Sequence, residues 1–191
     1  MALNDEDKRT LLQIARQSIE EEFGLTKVDL DRQFPPSLQE KNGAFVTLEI
    51  DGELRGCIGY IYGDRPLYKL IYEVAKKSAF EDPRFYPLSK EELDDIDIEI
   101  SVLTIPKRLN SIDEIEIGKH GLIIQKGPYH GLLLPQVAEK YNWTPIEFLE
   151  HTSRKAGLHR NDWKDPNTII EIFTAEVFSE KELGGIKNDN K

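Results

Sequence analysis

The 191-residue chain has one cysteine, Cys57, and therefore cannot form an internal disulfide. A reducing cytoplasm is the expected compartment. No stretch approaches the ~18 consecutive apolar residues of a membrane-spanning helix, and the N-terminus shows no apolar signal core. Positive charge is also short, since 25 Lys and Arg stand against 35 Asp and Glu for a formal net charge of −10. A protein that tracks a phosphate backbone needs a clustered basic surface, so DNA or RNA binding is not expected. The histidines, His120, His130, His151 and His159, have no local zinc-ligand spacing, and one thiol excludes sulfur-rich clusters, so no metal site is expected. His151 falls on the polar side of its helix and is expected in solvent. A nucleotide-binding glycine loop is missing too, because Gly56-x-x-Gly59 alone is too common to signify one.

What the chain does have is enough apolar sequence, 39%, for one domain or one domain with two lobes. Residues 5–23 place Leu11, Leu12, Ala15, Ile19 and Phe23 on one helical face, and Gly24 supplies a stop. Residues 25–42, with Pro35-Pro36, read as a connector holding one short helical turn. Alternating runs on either side of Asp51-Gly52 predict a hairpin over 44–61. Pro66 opens a helix whose stripe is Leu67, Leu70, Ile71, Val74, Ala75 and Ser78, and Pro83 and Pro87 end it. Residues 95–104 alternate as a half-buried strand, and Glu114-Ile115-Glu116-Ile117 reads as a short one. A second hairpin spans 121–126 and 129–134, and Pro135 then starts a short helix. Thr144-Pro145-Ile146-Glu147 is a capping box, with Trp143 and Phe148 placed as a hydrophobic staple. A last strand covers 168–178, and the polar tail 179–191 is expected to fray. The order β-β-α-β occurs twice, over about 43–105 and about 115–178.

The chemistry-bearing stretch is Leu54-Arg55-Gly56-Cys57-Ile58-Gly59-Tyr60. Simple alternation places Leu54, Ile58 and Tyr60 on one face and Arg55, Cys57 and Gly59 on the other. A guanidinium two residues from a thiol on one face favours the thiolate, and glycines inside a strand suit a close approach to the backbone. The same residues also fit a buried cysteine acting as a small hydrophobe beside a bulge. Glu81-Asp82-Pro83-Arg84-Phe85 has two readings as well. A ββα path can return it to Cys57, or Asp82 and Arg84 can simply satisfy a proline-stopped helix end.

Leu54-Arg55-Gly56-Cys57-Ile58-Gly59 resembles the signature hexapeptide of the AMMECR family, whose prokaryotic members are called AmmeMemoRadiSam system protein A. Arg65-Pro66-Leu67-Tyr68, Ala79 to Phe85, Ile98 to Thr104, Gly131 to Val137 and Lys155-Ala156-Gly157-Leu158 resemble the family in the same order, so the likeness covers about residues 8–180. The resemblance implies an α+β, AMMECR-like fold: two β-β-α-β repeats that exchange strands, an extra N-terminal helix over 5–23, and a larger and a smaller lobe with a cleft between them. It also implies a pathway shared with Memo-like and radical-SAM proteins, and it identifies neither a reaction nor a cofactor. Many members have a second cysteine where this chain has Ser153, so any thiol chemistry here rests on Cys57 alone.

The resulting expectation is a cytoplasmic enzyme or enzyme component acting on a small molecule or an exposed chain end in that cleft. Cys57 and Arg55 are the catalytic candidates, with Arg55 taking an anionic group. Gly56, Gly59, Asp82, Arg84 and Gln136 are the ligand-binding candidates. The alternative is a non-catalytic adaptor whose concave surface binds a partner protein, anchored by Arg55.

Overall fold

Helix α1 (Asp5–Glu22) begins where the Asn4 side chain accepts the Asp7 amide and three acidic residues fill the first turn, both favourable at a helix N-terminus. Its apolar face buries Leu11, Leu12, Ile14, Ala15 and Ile19. The connector holds one short helix, α2 (Pro36–Gln39), and leads into β1 (Asn42–Ile50) and β2 (Glu53–Tyr62). Asp51 and Gly52 both have positive φ, 53° and 82°, as a tight two-residue hairpin turn requires. Helix α3 (Leu67–Phe80) follows Pro66, and β3 (Ile96–Leu103) returns antiparallel to β1, giving the strand order β2-β1-β3. Ala44, Val46 and Leu48 of β1 and Ile96, Ile98 and Ile100 of β3 form one core with α1 and α3. Alternation therefore sends Phe45, Thr47 and Glu49, with Asp97, Glu99 and Ser101, to the opposite face of this sheet.

The computed structural model describes residues 3–184. The chain divides into two compact units: the elements above, up to Val102 and joined by the chain from Glu176, and a second unit of Leu103–Ala175. In the second unit β5 (His120–Lys126) lies between β6 (Tyr129–Leu133) and β7 (Ile169–Ser179), and β4 (Lys107–Arg108) pairs with β7. Leu122 and Ile124 pack with Ala138 of α4 (Pro135–Lys140) and with Phe148 and Leu149 of α5 (Pro145–Lys155). The Thr144–Glu147 capping box is formed, and the Trp143 ring lies 6.3 Å from that of Phe148. No helix among the described residues is long and apolar enough to cross a membrane.

Three local expectations are corrected. Residues 114–117 are not a strand: Ser111 and Glu114 cap a 3₁₀ turn over Ile112–Glu114, and Ile115 and Ile117 pack into the second unit's core from a loop. The tail does not fray from Ser179. Glu180 is buried against Arg16, whose guanidinium also donates to the carbonyls of Leu93 and Ile96; the end of that tail, residues 185–191, lies outside the described residues. Nor is His151 fully in solvent: it is half-buried, and its ring stacks on Trp143 at 3.9 Å between centroids.

Candidate functional site

The first hairpin is not regular where its chemistry lies. Opposite Leu48 stands Gly56 and opposite Glu49 stands Leu54, so Arg55 is the extra residue of a β-bulge. The bulge breaks the simple alternation: Leu54 shares the face of Cys57 instead of that of Ile58. Arg55 is thereby re-aimed. Its fork binds both carboxylate oxygens of Glu92, at 2.7 and 3.1 Å, and donates to the carbonyls of Tyr86 and Pro87. Glu92 in turn closes the capping box with Ser89. The space beside the two glycines is occupied by protein. A Cβ on Gly56 would lie 2.1 Å from the Ser78 carbonyl of α3, and one on Gly59 would lie 2.4 Å from the Phe45 ring.

Cys57 is half-buried on the face away from the core, and its peptide groups are held by side chains. Its N–H donates to Asp82 at 2.9 Å, and its carbonyl accepts from the Arg84 guanidinium at 3.2 Å. One residue on, the Ile58 N–H donates to Ser78 Oγ, which itself donates to the Val46 carbonyl. The loop after α3 is thus returned to Cys57, and Asp82 and Arg84 both bond to each other and grip the strand. The Asp82 side chain is only 2% exposed. It accepts from Arg84 Nε and Nη2 and from the amides of Arg84 and Cys57. The guanidinium first, then those amides, outweigh burial and hold its carboxyl far below the usual carboxylate range, while the carboxylate raises Arg84.

The thiol itself accepts a hydrogen bond from Thr47 Oγ1 at 3.4 Å. Burial pushes its pKa up and outweighs the lowering by Thr47 and by Arg84, with Asp82 and Glu99 adding to the rise. The expectation of a thiolate favoured by Arg55 is therefore reversed, since the bulge turns that guanidinium to Glu92 and the cation bearing on Cys57 is Arg84. Beyond Thr47 the row continues on β3 with Glu99, directly opposite Thr47. Burial raises the Glu99 carboxyl as well, and Glu49, Glu182 and Asp97 push it the same way.

Gln136 sits exposed at the start of α4, in the second unit. Ser153, also in that unit, is buried and bonds the Leu149 carbonyl. Nδ1 of His120 and of His159 each accept a nearby backbone amide. Among the described residues no group of three or more His, Cys, Asp or Glu is arranged to hold a metal ion. Sequence reasoning missed Thr47, Ser78 and Glu92. A serine inside the apolar stripe of α3 was the available signal for Ser78, and Ser89-x-x-Glu92 was the signal for the cap; nothing local marked Thr47.

The AMMECR1 family profile matches residues 12–178, nearly the whole of this arrangement. The chain belongs to the AMMECR1 family. It is 43% identical over 186 residues to a protein of Aquifex aeolicus, covering 94% of this chain and 95% of the relative. Protein SSO0193 of Saccharolobus solfataricus is 44% identical over 194 residues, covering 96% of this chain and 86% of the relative. The crystal structure of uncharacterized protein PH0010 from Pyrococcus horikoshii superposes with a TM-score of 0.82 at 40% identity, covering 92% of each chain. The α+β, AMMECR-like fold is thereby established, and the names of these relatives assign no reaction.

Proposed function

We propose that this AMMECR1-family protein is an enzyme, or a component of one, that works on a small molecule or an exposed chain end through the Cys57 thiol. The observation that supports this is the clamp on both peptide groups of Cys57. In the first unit β2 lies at the end of the strand order β2-β1-β3, and edge strands are commonly left to water or protected by exposed charges. Here a buried carboxylate and a guanidinium hold both peptide groups of Cys57 instead, and on the β1 side Ser78 Oγ bridges the Ile58 N–H to the Val46 carbonyl. Such supporting bonds fix a reactive side chain within the small tolerance that catalysis needs. Arg84 is about half exposed and is the cation placed to stabilise negative charge on sulfur or on a bound substrate. Arg55 acts one step removed, by bracing the loop through Glu92. The single thiol suits a reducing cytoplasm, and the family context suggests a modification pathway with Memo-like and radical-SAM partners.

The adaptor reading has its own support: a thiol raised by burial, and Tyr60 and Tyr62 exposed by 40% and 57% on one face of β2. Exposed apolar groups of this kind mark protein contacts when they are contiguous. Intact-mass measurement separates the two. Folded protein and Cys57→Ser would be incubated with small aldehydes, thioesters and acyl phosphates. An enzyme should give one adduct per chain that the Ser variant lacks, or turn a compound over. A folded chain inert to the whole panel favours the adaptor.

A further inference from the structure

We infer that Glu99 is the proton acceptor for Cys57, the two residues flanking a reaction site over Thr47. The inference rests on Cys57 being the reacting group. Its basis is the sheet register: Cys57 pairs with Thr47 across β2–β1, and Thr47 pairs with Glu99 across β1–β3. Directly paired residues point to one face, so the three side chains form a lateral row, with thiol and carboxylate two strand spacings, roughly 10 Å, apart at Cα. Both residues thus flank Thr47 on that face, and the Thr47 hydroxyl donates to Sγ.

A thiol raised by burial is protonated at neutral pH, so attack on an electrophile needs a base. The charged groups that bear on it are Arg84, Asp82 and Glu99. Arg84 has no lone pair to offer. Asp82 is occupied by four donors and its carboxyl is held far down, which makes it a weak base. Glu99 remains, and the influences on its charge are burial and the carboxylates of Glu49, Asp97 and Glu182, all of which make it more basic. In the step, the Sγ–H bond breaks and its proton passes to Glu99, directly or through one water. The sulfur electron pair forms the new S–C bond, and the displaced group leaves with its own pair, later taking the proton from Glu99. The same four carboxylates select against anionic electrophiles, so the substrate class is a neutral or cationic electrophile.

The pH dependence of iodoacetamide alkylation of folded protein tests this, since the reagent is uncharged. General-base assistance gives a rate plateau between the Glu99 and Cys57 ionisations, whereas simple thiolate attack rises about tenfold per pH unit. Wild type should show the plateau, with a normal solvent deuterium isotope effect on it. Glu99→Gln should lose it, reacting at least tenfold slower near neutral pH. Above the thiol pKa that variant should react at least as fast as wild type, because a neighbouring negative charge is gone. Glu99→Asp, with a shorter arm, should lie between them. A wild-type profile rising about tenfold per unit throughout overturns the role of Glu99 and needs no variant, while leaving Cys57 reactive. Folded protein that is not alkylated at any pH overturns the reading of Cys57 itself, and this inference with it.

Discussion

Replacing Asp82 by Ala tests whether the clamp on Cys57 is energetically real. The carboxylate receives two main-chain amides, from Cys57 and Arg84, and two guanidinium bonds. A hydrogen bond to an ionised group contributes about 1.5–3 kcal/mol. The Arg84 side chain is 53% exposed, so its ion pair is discounted to under about 1 kcal/mol. Two amide bonds at the low end then give a loss of about 3 kcal/mol, since water can partly satisfy the freed Cys57 N–H. For a chain of this size that lowers Tm by roughly 6–12 °C. The effect should also depend on pH. A carboxyl held below its unfolded value of ~3.9 contributes its full stability above that pH and loses it as pH falls toward the folded value. Urea unfolding of wild type and Asp82→Ala should therefore show a constant gap from about pH 5 to 8 that narrows below about pH 4. A gap under about 1 kcal/mol, or one that does not narrow in acid, would refute the assignment.

Other substitutions probe the surrounding frame. Gly56→Ala places a methyl 2.1 Å from the Ser78 carbonyl and should cost about 3 kcal/mol or more by urea midpoint, as α3 is pushed off the hairpin. Arg55→Lys keeps the charge but loses the fork across Glu92 and the carbonyls of Tyr86 and Pro87; it should lose about 1–2 kcal/mol of stability and leave Cys57 alkylation unchanged. Altered alkylation without lost stability would return Arg55 to the reacting groups. Glu180→Gln removes the carboxylate charge that pairs with the buried Arg16, leaving the fork one amide oxygen beside the Leu93 and Ile96 carbonyls, and should destabilise by about 3 kcal/mol in the same assay.

The first hairpin was legible because Asp51-Gly52 supplies the left-handed geometry its turn uses, and the family hexapeptide identified the stretch that matters. The bulge was not legible. It lies beside Gly56, where α3 comes close enough that a Cβ would meet the Ser78 carbonyl, a tertiary contact with no local signature, and Arg55, its extra residue, turns to Glu92. A return of the Asp82–Arg84 loop to Cys57 was one of two readings the topology allowed, and its grip on the strand backbone depends on distances no spacing encodes. Ile115 and Ile117 alternate like a strand yet pack from a capped turn, because Ser111 and Glu114 close a box first. Glu180 looked like part of a solvated tail; its partner, Arg16, lies 164 positions earlier. Glu99 could be assigned to the face away from the core from its strand, whereas its alignment with Thr47 and Cys57 required the register.

The central claim is that the Cys57 thiol reacts from the folded protein. It is tested most directly by the rate of iodoacetamide labelling at Cys57 across a urea series that stops below the unfolding transition. The account predicts one label per chain at a rate that stays flat across the series. A rate that rises in proportion to the unfolded fraction, extrapolating to zero in water, would contradict it.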